Sequence, residues 1–176
     1  SHSPTMTTAH TCTRDDLIGL EPRHDTFVGI DSDGCVFDTM EIKQKRCFHP
    51  VIIRQWHLDD IEPFLRRAAE FVNLYSQWRG TNRFVALLKV FDLLREWPEV
   101  QASGVEIPDL DMLRRFTESG VALGNPSLQQ AVTETNDPQL AAVLQWSTEV
   151  NAEIERVVKN APPFDRVRES LEKVHA

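Results

Sequence analysis

Apolar residues recur at steps of three and four along most of this chain, the period of amphipathic helices packed on one another. Ile61, Phe64, Leu65, Ala68, Val72 and Tyr75 fall on one face of a predicted helix running to about Ser76. Asp60 is placed to cap it, and Pro63 falls in its first turn, where proline is tolerated. From Asn82 onward, Phe84, Leu87, Leu88, Phe91 and Leu94 repeat the stripe until Trp97-Pro98 ends it. Pro108 is expected to open a further helix that stops near Ser119-Gly120. Asn125-Pro126 and Asp137-Pro138 each read as a capping residue followed by a proline at the first helical position, which needs no N–H there. The second begins the longest helix, with Leu140, Val143, Leu144, Val150, Ile154 and Val157 along its buried stripe. Ala161-Pro162-Pro163 breaks that helix, and a short one from Asp165 to about Val174 follows.

One early segment has a different pattern. Thr26-Phe27-Val28-Gly29-Ile30 is a short apolar run closed by Asp31, Asp33 and Gly34, as in a buried strand that ends in a turn. Asp38, with Glu41 three residues later, predicts a capped helix through Lys45 or beyond. A lone buried strand leaves its backbone groups unpaired, so it needs sheet neighbours. Val105-Glu106-Ile107 and Val121-Ala122-Leu123 are the short candidates; otherwise the strand pairs outside this chain, or the chain is a fragment. The expected architecture is predominantly α-helical with one core strand. A polar tail over 1–22 precedes the strand and its loop over 23–39. A helical subdomain over 40–160 and a return linker with a helix over 161–176 complete it.

Charge and composition narrow the function. The formal net charge is -8, with no basic cluster along the chain. Nucleic acid and anionic membrane surfaces both call for a positive stripe, so neither is an expected partner. No apolar run approaches the ~20 residues that a membrane-spanning helix needs, and Ser1 to Thr13 lacks the apolar core of a secretory signal. Cys12, Cys35 and Cys47 form an odd set without paired spacing, which argues against a disulfide framework and for a reducing cytoplasm. Nothing implies the depressed pKa that would make Cys35 or Cys47 redox-active. His49 and His57 have no third ligand at matching spacing, and read as a helix-end residue and a packing residue.

The strongest chemical signal is Asp31-Ser32-Asp33-Gly34 at the carboxyl end of the predicted strand, where ligands bind in open α/β sheets. A carboxylate there can attack phosphorus and form an aspartyl-phosphate, which splits hydrolysis into two easier steps. Two carboxylates approach a phosphate dianion only with a cation, and magnesium favours one or two carboxylates plus substrate oxygens and water. The second aspartate can protonate the leaving alcohol and then deprotonate the attacking water. Gly34 permits the turn that brings backbone N–H groups to the phosphate. A calcium loop of the helix–loop–helix type would need its glycine at the sixth position rather than the fourth. A plain surface turn remains the bland alternative.

The stretch from Phe27 to Thr39, with Asp31-Ser32-Asp33-Gly34 and then Asp38-Thr39, resembles motif I of the haloacid dehalogenase-like (HAD) superfamily. The resemblance implies a Rossmann-like α/β core with a helical cap inserted after Asp-Thr. It implies Asp31 as nucleophile and magnesium ligand, and Asp33 as general acid/base with its backbone carbonyl on the metal. Members that cleave carbon–halogen bonds usually lack the second aspartate, so Asp33 favours phosphoryl transfer. The segment from Met40 to Asn160 looks like the cap, and Ala161-Pro162-Pro163-Phe164 like the return linker. The family's phosphate-binding Ser or Thr, its Lys or Arg and its further acidic metal ligands are not found in strand-end context. These 176 residues alone are therefore expected to be catalytically silent.

Trp78-Arg79-Gly80-Thr81-Asn82-Arg83 is the candidate cap loop facing the substrate, and Arg79 and Arg83 together can clamp an anion through their planar forks. In the competing reading Gly80 ends one helix, Asn82 begins the next, and both arginines are solvated. The expected activity is a magnesium-dependent phosphatase acting through an aspartyl-phosphate on a small phosphorylated metabolite. The alternatives are a dehalogenase or phosphomutase of the same superfamily, or a non-catalytic binding or assembly protein that retains motif I.

Overall fold

The computed structural model describes residues 18, 19, 21, 25, 29, 31, 37, 39–159 and 167–175, the last stretch without the side chains of 171, 174 and 175. The chain divides into two units, 1–30 and 31–176. In the first, the five described residues are all exposed, and Ile18 is in a helical turn.

The second unit is built of helices. α1 (39–56) is one continuous rod with three local geometries, Thr39–Ile42, Lys43–Phe48 and His49–Trp56. Its middle segment widens to a π-helix, and the His49 N–H donates to the Gln44 carbonyl five residues back. Pro50 explains a consequence of that widening. In a five-residue register the Lys45 carbonyl would take its hydrogen bond from residue 50, and proline has no N–H to give. Arg66 supplies the missing donor, its Nη1 lying 3.3 Å from the Lys45 oxygen.

A short 3₁₀ turn, Asp59–Ile61, leads into α2 (62–75), which comprises Glu62–Glu70 and a second π segment, Phe71–Tyr75. α3 is Arg83–Glu96, α4 Pro98–Ser103, α5 Asp111–Glu118, α6 Asn125–Thr135, α7 Pro138–Val158 and α8 Val167–His175. Asn82 caps α3 by accepting the Phe84 N–H at 2.9 Å. Asp137 caps α7 through the Gln139 and Leu140 N–H groups at 2.9 and 3.0 Å. Asp137→Ala is expected to lower stability by about 1 kcal/mol, the usual value of such a cap, as read from urea denaturation. No helix of the described residues is long and apolar enough to cross a membrane.

One apolar core joins α1 to α7. It includes Ile61 and Leu65 of α2, Phe84, Leu87 and Phe91 of α3, Leu113 of α5, and Leu140, Val143, Trp146 and Val150 of α7. Trp146 meets Phe48 edge-on at 6.0 Å between ring centres, and Trp56 meets Phe91 at 5.2 Å. Helix directions follow from paired contacts. Trp56 touches Trp146 while Cys47 senses Glu153, so α1 and α7 are antiparallel. Tyr75 reaches Glu41, and Arg66 reaches Lys45, so α1 and α2 are antiparallel as well. Arg83 lies over Phe48, and Phe91 lies against Trp56, so α3 runs parallel to α1.

The helical reading of the sequence holds, with local corrections. Tyr75 is 66% exposed instead of buried, and Leu74 takes its place in the core. The π segment widens each turn, so a stripe counted at 3.6 residues per turn drifts off the core there. The residue capping α2 is Ile61, without a side-chain bond, rather than Asp60. Pro108 lies in irregular chain, and its carbonyl accepts from Arg95 Nη2 at 2.7 Å; α5 starts three residues later, at Asp111. Gly124 precedes α6 as its cap in place of Asn125, whose side chain is turned to Ser147. Val105-Glu106-Ile107 and Val121-Ala122-Leu123 are irregular. Among the described residues there is no strand, only an isolated bridge at Phe37. The strand expected over 26–30 lies outside the described residues apart from Gly29, which has no regular structure.

Candidate functional site

The helix directions gather several termini at one end of the bundle. α1 starts there and α7 ends there, so the chain enters and leaves at the same end. The end of α2 and the connection over 76–82 lie there too, because Tyr75 reaches Glu41 in the first turn of α1. α3 and α6 begin further in, level with Ser147 and Asn151 of α7, as the contacts of Arg83 and Asn125 require.

Of the predicted catalytic residues, Asp31 is exposed and in irregular backbone. Asp33 and Gly34 lie outside the described residues, as do Ser32 and Cys35. The chain then reaches α1 through Phe37 and Thr39. The Thr39 N–H donates to the Phe37 carbonyl at 2.8 Å, and the Thr39 side chain is buried. The start of the bundle is thereby fixed close in sequence to Asp31.

Arg79 and Arg83 have different surroundings. Arg79 is exposed in the turn after α2, with its N–H on the Ser76 carbonyl at 3.1 Å, and Gly80 beside it adopts a φ of 83°. Arg83 is half-buried. Its Nη1 donates to the Ser147 carbonyl at 3.2 Å, to Ser147 Oγ at 3.1 Å and to Asn151 Oδ1 at 2.7 Å. Its Cζ is 5.2 Å from the Phe48 ring centre, and burial lowers its pKa from the usual arginine value. The competing reading is right about Asn82, which caps α3, and about the exposed Arg79, but Gly80 does not end α2, which stops at Tyr75 with Ser76 as its cap, and Arg83 is tied into the bundle.

Sequence reasoning misses a cluster at the entry end. Glu41 receives Lys45 Nζ at 3.1 Å and the Tyr75 hydroxyl at 3.4 Å. The hydrogen bond from Glu41 and the charge of Glu70 raise the Lys45 pKa. The Glu41-to-Lys45 spacing is a readable helical ion pair; Tyr75, 34 residues on, gives no such signal.

Among the described residues no three His, Cys, Asp or Glu side chains are grouped to hold a metal. Magnesium does not require such a group, since it takes one or two carboxylates and fills the rest of its octahedron with water and substrate oxygens. Asp31 is a hard oxygen donor exposed to incoming ligands, which suits that chemistry. The two histidines exchange the expected roles: His49 is fully buried, and His57 is exposed in a left-handed conformation at the end of α1. No family model, no curated protein and no solved structure matches this chain.

Proposed function

We propose that this chain carries the nucleophile loop and helical cap of a HAD-type, magnesium-dependent phosphatase of the cytoplasm, acting on a small phosphorylated metabolite. The observation that carries this reading is the sequence Asp31-Ser32-Asp33-Gly34 followed at once by an all-helical insert whose chain enters and leaves at one end. A cap inserted into an α/β core needs that geometry, because both of its linkers return to the same place. The exposure of Asp31 supports the reading further, since a nucleophile must be reached by its substrate.

In this mechanism the Asp31 carboxylate attacks phosphorus, and the alcohol leaves with a proton from Asp33. Water then attacks the aspartyl-phosphate while Asp33 takes its proton, releasing phosphate and restoring Asp31. Bound magnesium would supply charge neutralisation between the carboxylates and the phosphoryl oxygens. Backbone N–H groups of the turn at Gly34 would orient the phosphate.

The division of roles is tested with Asp33→Asn in the full-length polypeptide, using an activated aryl phosphate that leaves without protonation. Phosphoenzyme formation is expected to persist while its hydrolysis slows by ~10²–10⁴, the usual contribution of general base catalysis. Rapid-quench measurement of the two half-reactions reads this directly. Equal losses in both steps would contradict the assignment of Asp33.

A further inference from the structure

Arg83 carries a half-buried positive charge, and its acceptors among the described residues are all neutral. Arg54, Arg66, Arg95, Arg114 and Arg156 each pair with a carboxylate. Arg83 has no carboxylate partner among the described residues, in a chain with 27 acidic and 19 basic residues. A guanidinium has five N–H donors in a rigid fork. The three acceptors of Arg83 all lie on Nη1, which leaves Nη2 and Nε without a described partner.

Arg83 lines a cleft of about 380 Å³ between the starts of α3 and α6 and the flank of α7. Asn82, Asn125 and Asn151 line it too. The oxygen atoms of all three are already used, by the Phe84 N–H, the Ser147 hydroxyl and Arg83 itself. The side-chain amide N–H groups of Asn125 and Asn151 have no described acceptor, so donors predominate among the open groups of the cleft. Among the described residues no carboxylate lines it. From Asn151 to the end of α7 at Val158 is about 10 Å at the rise of an α-helix, so the cleft sits that far from the end of the bundle where α1 starts.

We propose that the Arg83 cleft is an anion subsite that takes a carboxylate or second phosphate, the non-reacting anionic group of the substrate. The bidentate fork, with amide donors beside it, suits either planar or tetrahedral oxyanions. The assignment of that anion to the substrate rests on the phosphatase reading. On that reading the substrate is a phosphorylated metabolite with a second anionic group distant from the phosphoryl group.

The test separates binding from catalysis. Inorganic phosphate and malonate are titrated into the chain without magnesium, following heat and the arginine Nε–Hε resonances. Saturable binding that shifts the Arg83 resonance is expected. Arg83→Gln should weaken it at least ~10-fold, the value of a charge-assisted hydrogen bond, whereas Arg67→Gln, at an exposed position, should leave it intact. Should Arg83→Gln fail to fold, Arg83→Lys keeps the charge without the fork and should still bind more weakly. Absence of saturable binding, or an unmoved Arg83 resonance, overturns the site even if the phosphatase reading stands. In the full-length polypeptide, Arg83→Gln should raise KM for a carboxylated aryl phosphate but not for phenyl phosphate. Equal KM changes for both would overturn the assignment to substrate while leaving hydrolysis itself untouched.

Discussion

Asp31→Asn is expected to reduce metal-dependent phosphate release from the full-length polypeptide by roughly 10⁶, the scale of loss when a covalent nucleophile is removed. An amide oxygen is a poor nucleophile toward phosphorus, and it contributes no charge to a cation. Both effects strike the same step, so no choice of leaving group should rescue the variant, in contrast to Asp33→Asn. Steady-state release from phenyl and activated aryl phosphates checks this. Because Asp31 is exposed and lies in irregular backbone, the substitution should leave the thermal transition in place. Turnover surviving at near wild-type rate in Asp31→Asn would rule out the aspartyl-phosphate route.

Acid should loosen the helical bundle through His49. Its side chain is fully buried in α1, and neither ring nitrogen has a hydrogen-bond partner among the described residues. Burial, and after it the positive charges of Arg66 and Lys45, lower its pKa from 6.5 to about 4. The folded state therefore holds His49 neutral, while the unfolded chain binds a proton near pH 6.5. The stabilisation is complete above that pH and is lost as pH falls through 6.5 toward about 4. The full loss is about 3 kcal/mol, since each tenfold difference in proton affinity between the two states corresponds to about 1.4 kcal/mol. Urea denaturation across that range reads the loss, and His49→Leu should remove this part of the pH dependence because leucine does not titrate. A His49→Leu protein that loses stability in acid as steeply as the parent would assign the effect to other groups.

The helices are legible because their signals are local. Asn82 before a three-four stripe and Asp137 before Pro138 state a cap and a start within a few residues, and the structure forms both. What is not legible comes from elsewhere in the chain or from a change of period. Tyr75 misleads because the helix widens at Phe71–Tyr75, and nothing in the apolar spacing announces a π segment. Pro108 resembles a helix start, but its carbonyl is held by Arg95 thirteen residues away and the backbone there is irregular. Asn125 looks like a cap by composition, yet its side chain serves Ser147, 22 residues on. The same holds for the candidate site. The Asp31-to-Gly34 loop is a contiguous motif and can be read directly, whereas Arg83 acquires its meaning from Ser147 and Asn151, 64 and 68 residues away. Arg79 and Arg83 look equivalent in sequence; only packing against Phe48 and α7 distinguishes them.

The central claim is that the Asp31 carboxylate becomes phosphorylated during turnover. Acid-quenching the full-length polypeptide with magnesium and an activated aryl phosphate, followed by peptide mass mapping, tests it most directly. The account predicts one phosphoryl group on the peptide containing Asp31, labile to hydroxylamine and absent from Asp31→Asn. Phosphate release that proceeds with the Asp31 peptide unmodified at every quench time, including in Asp33→Asn where the intermediate should accumulate, would contradict it.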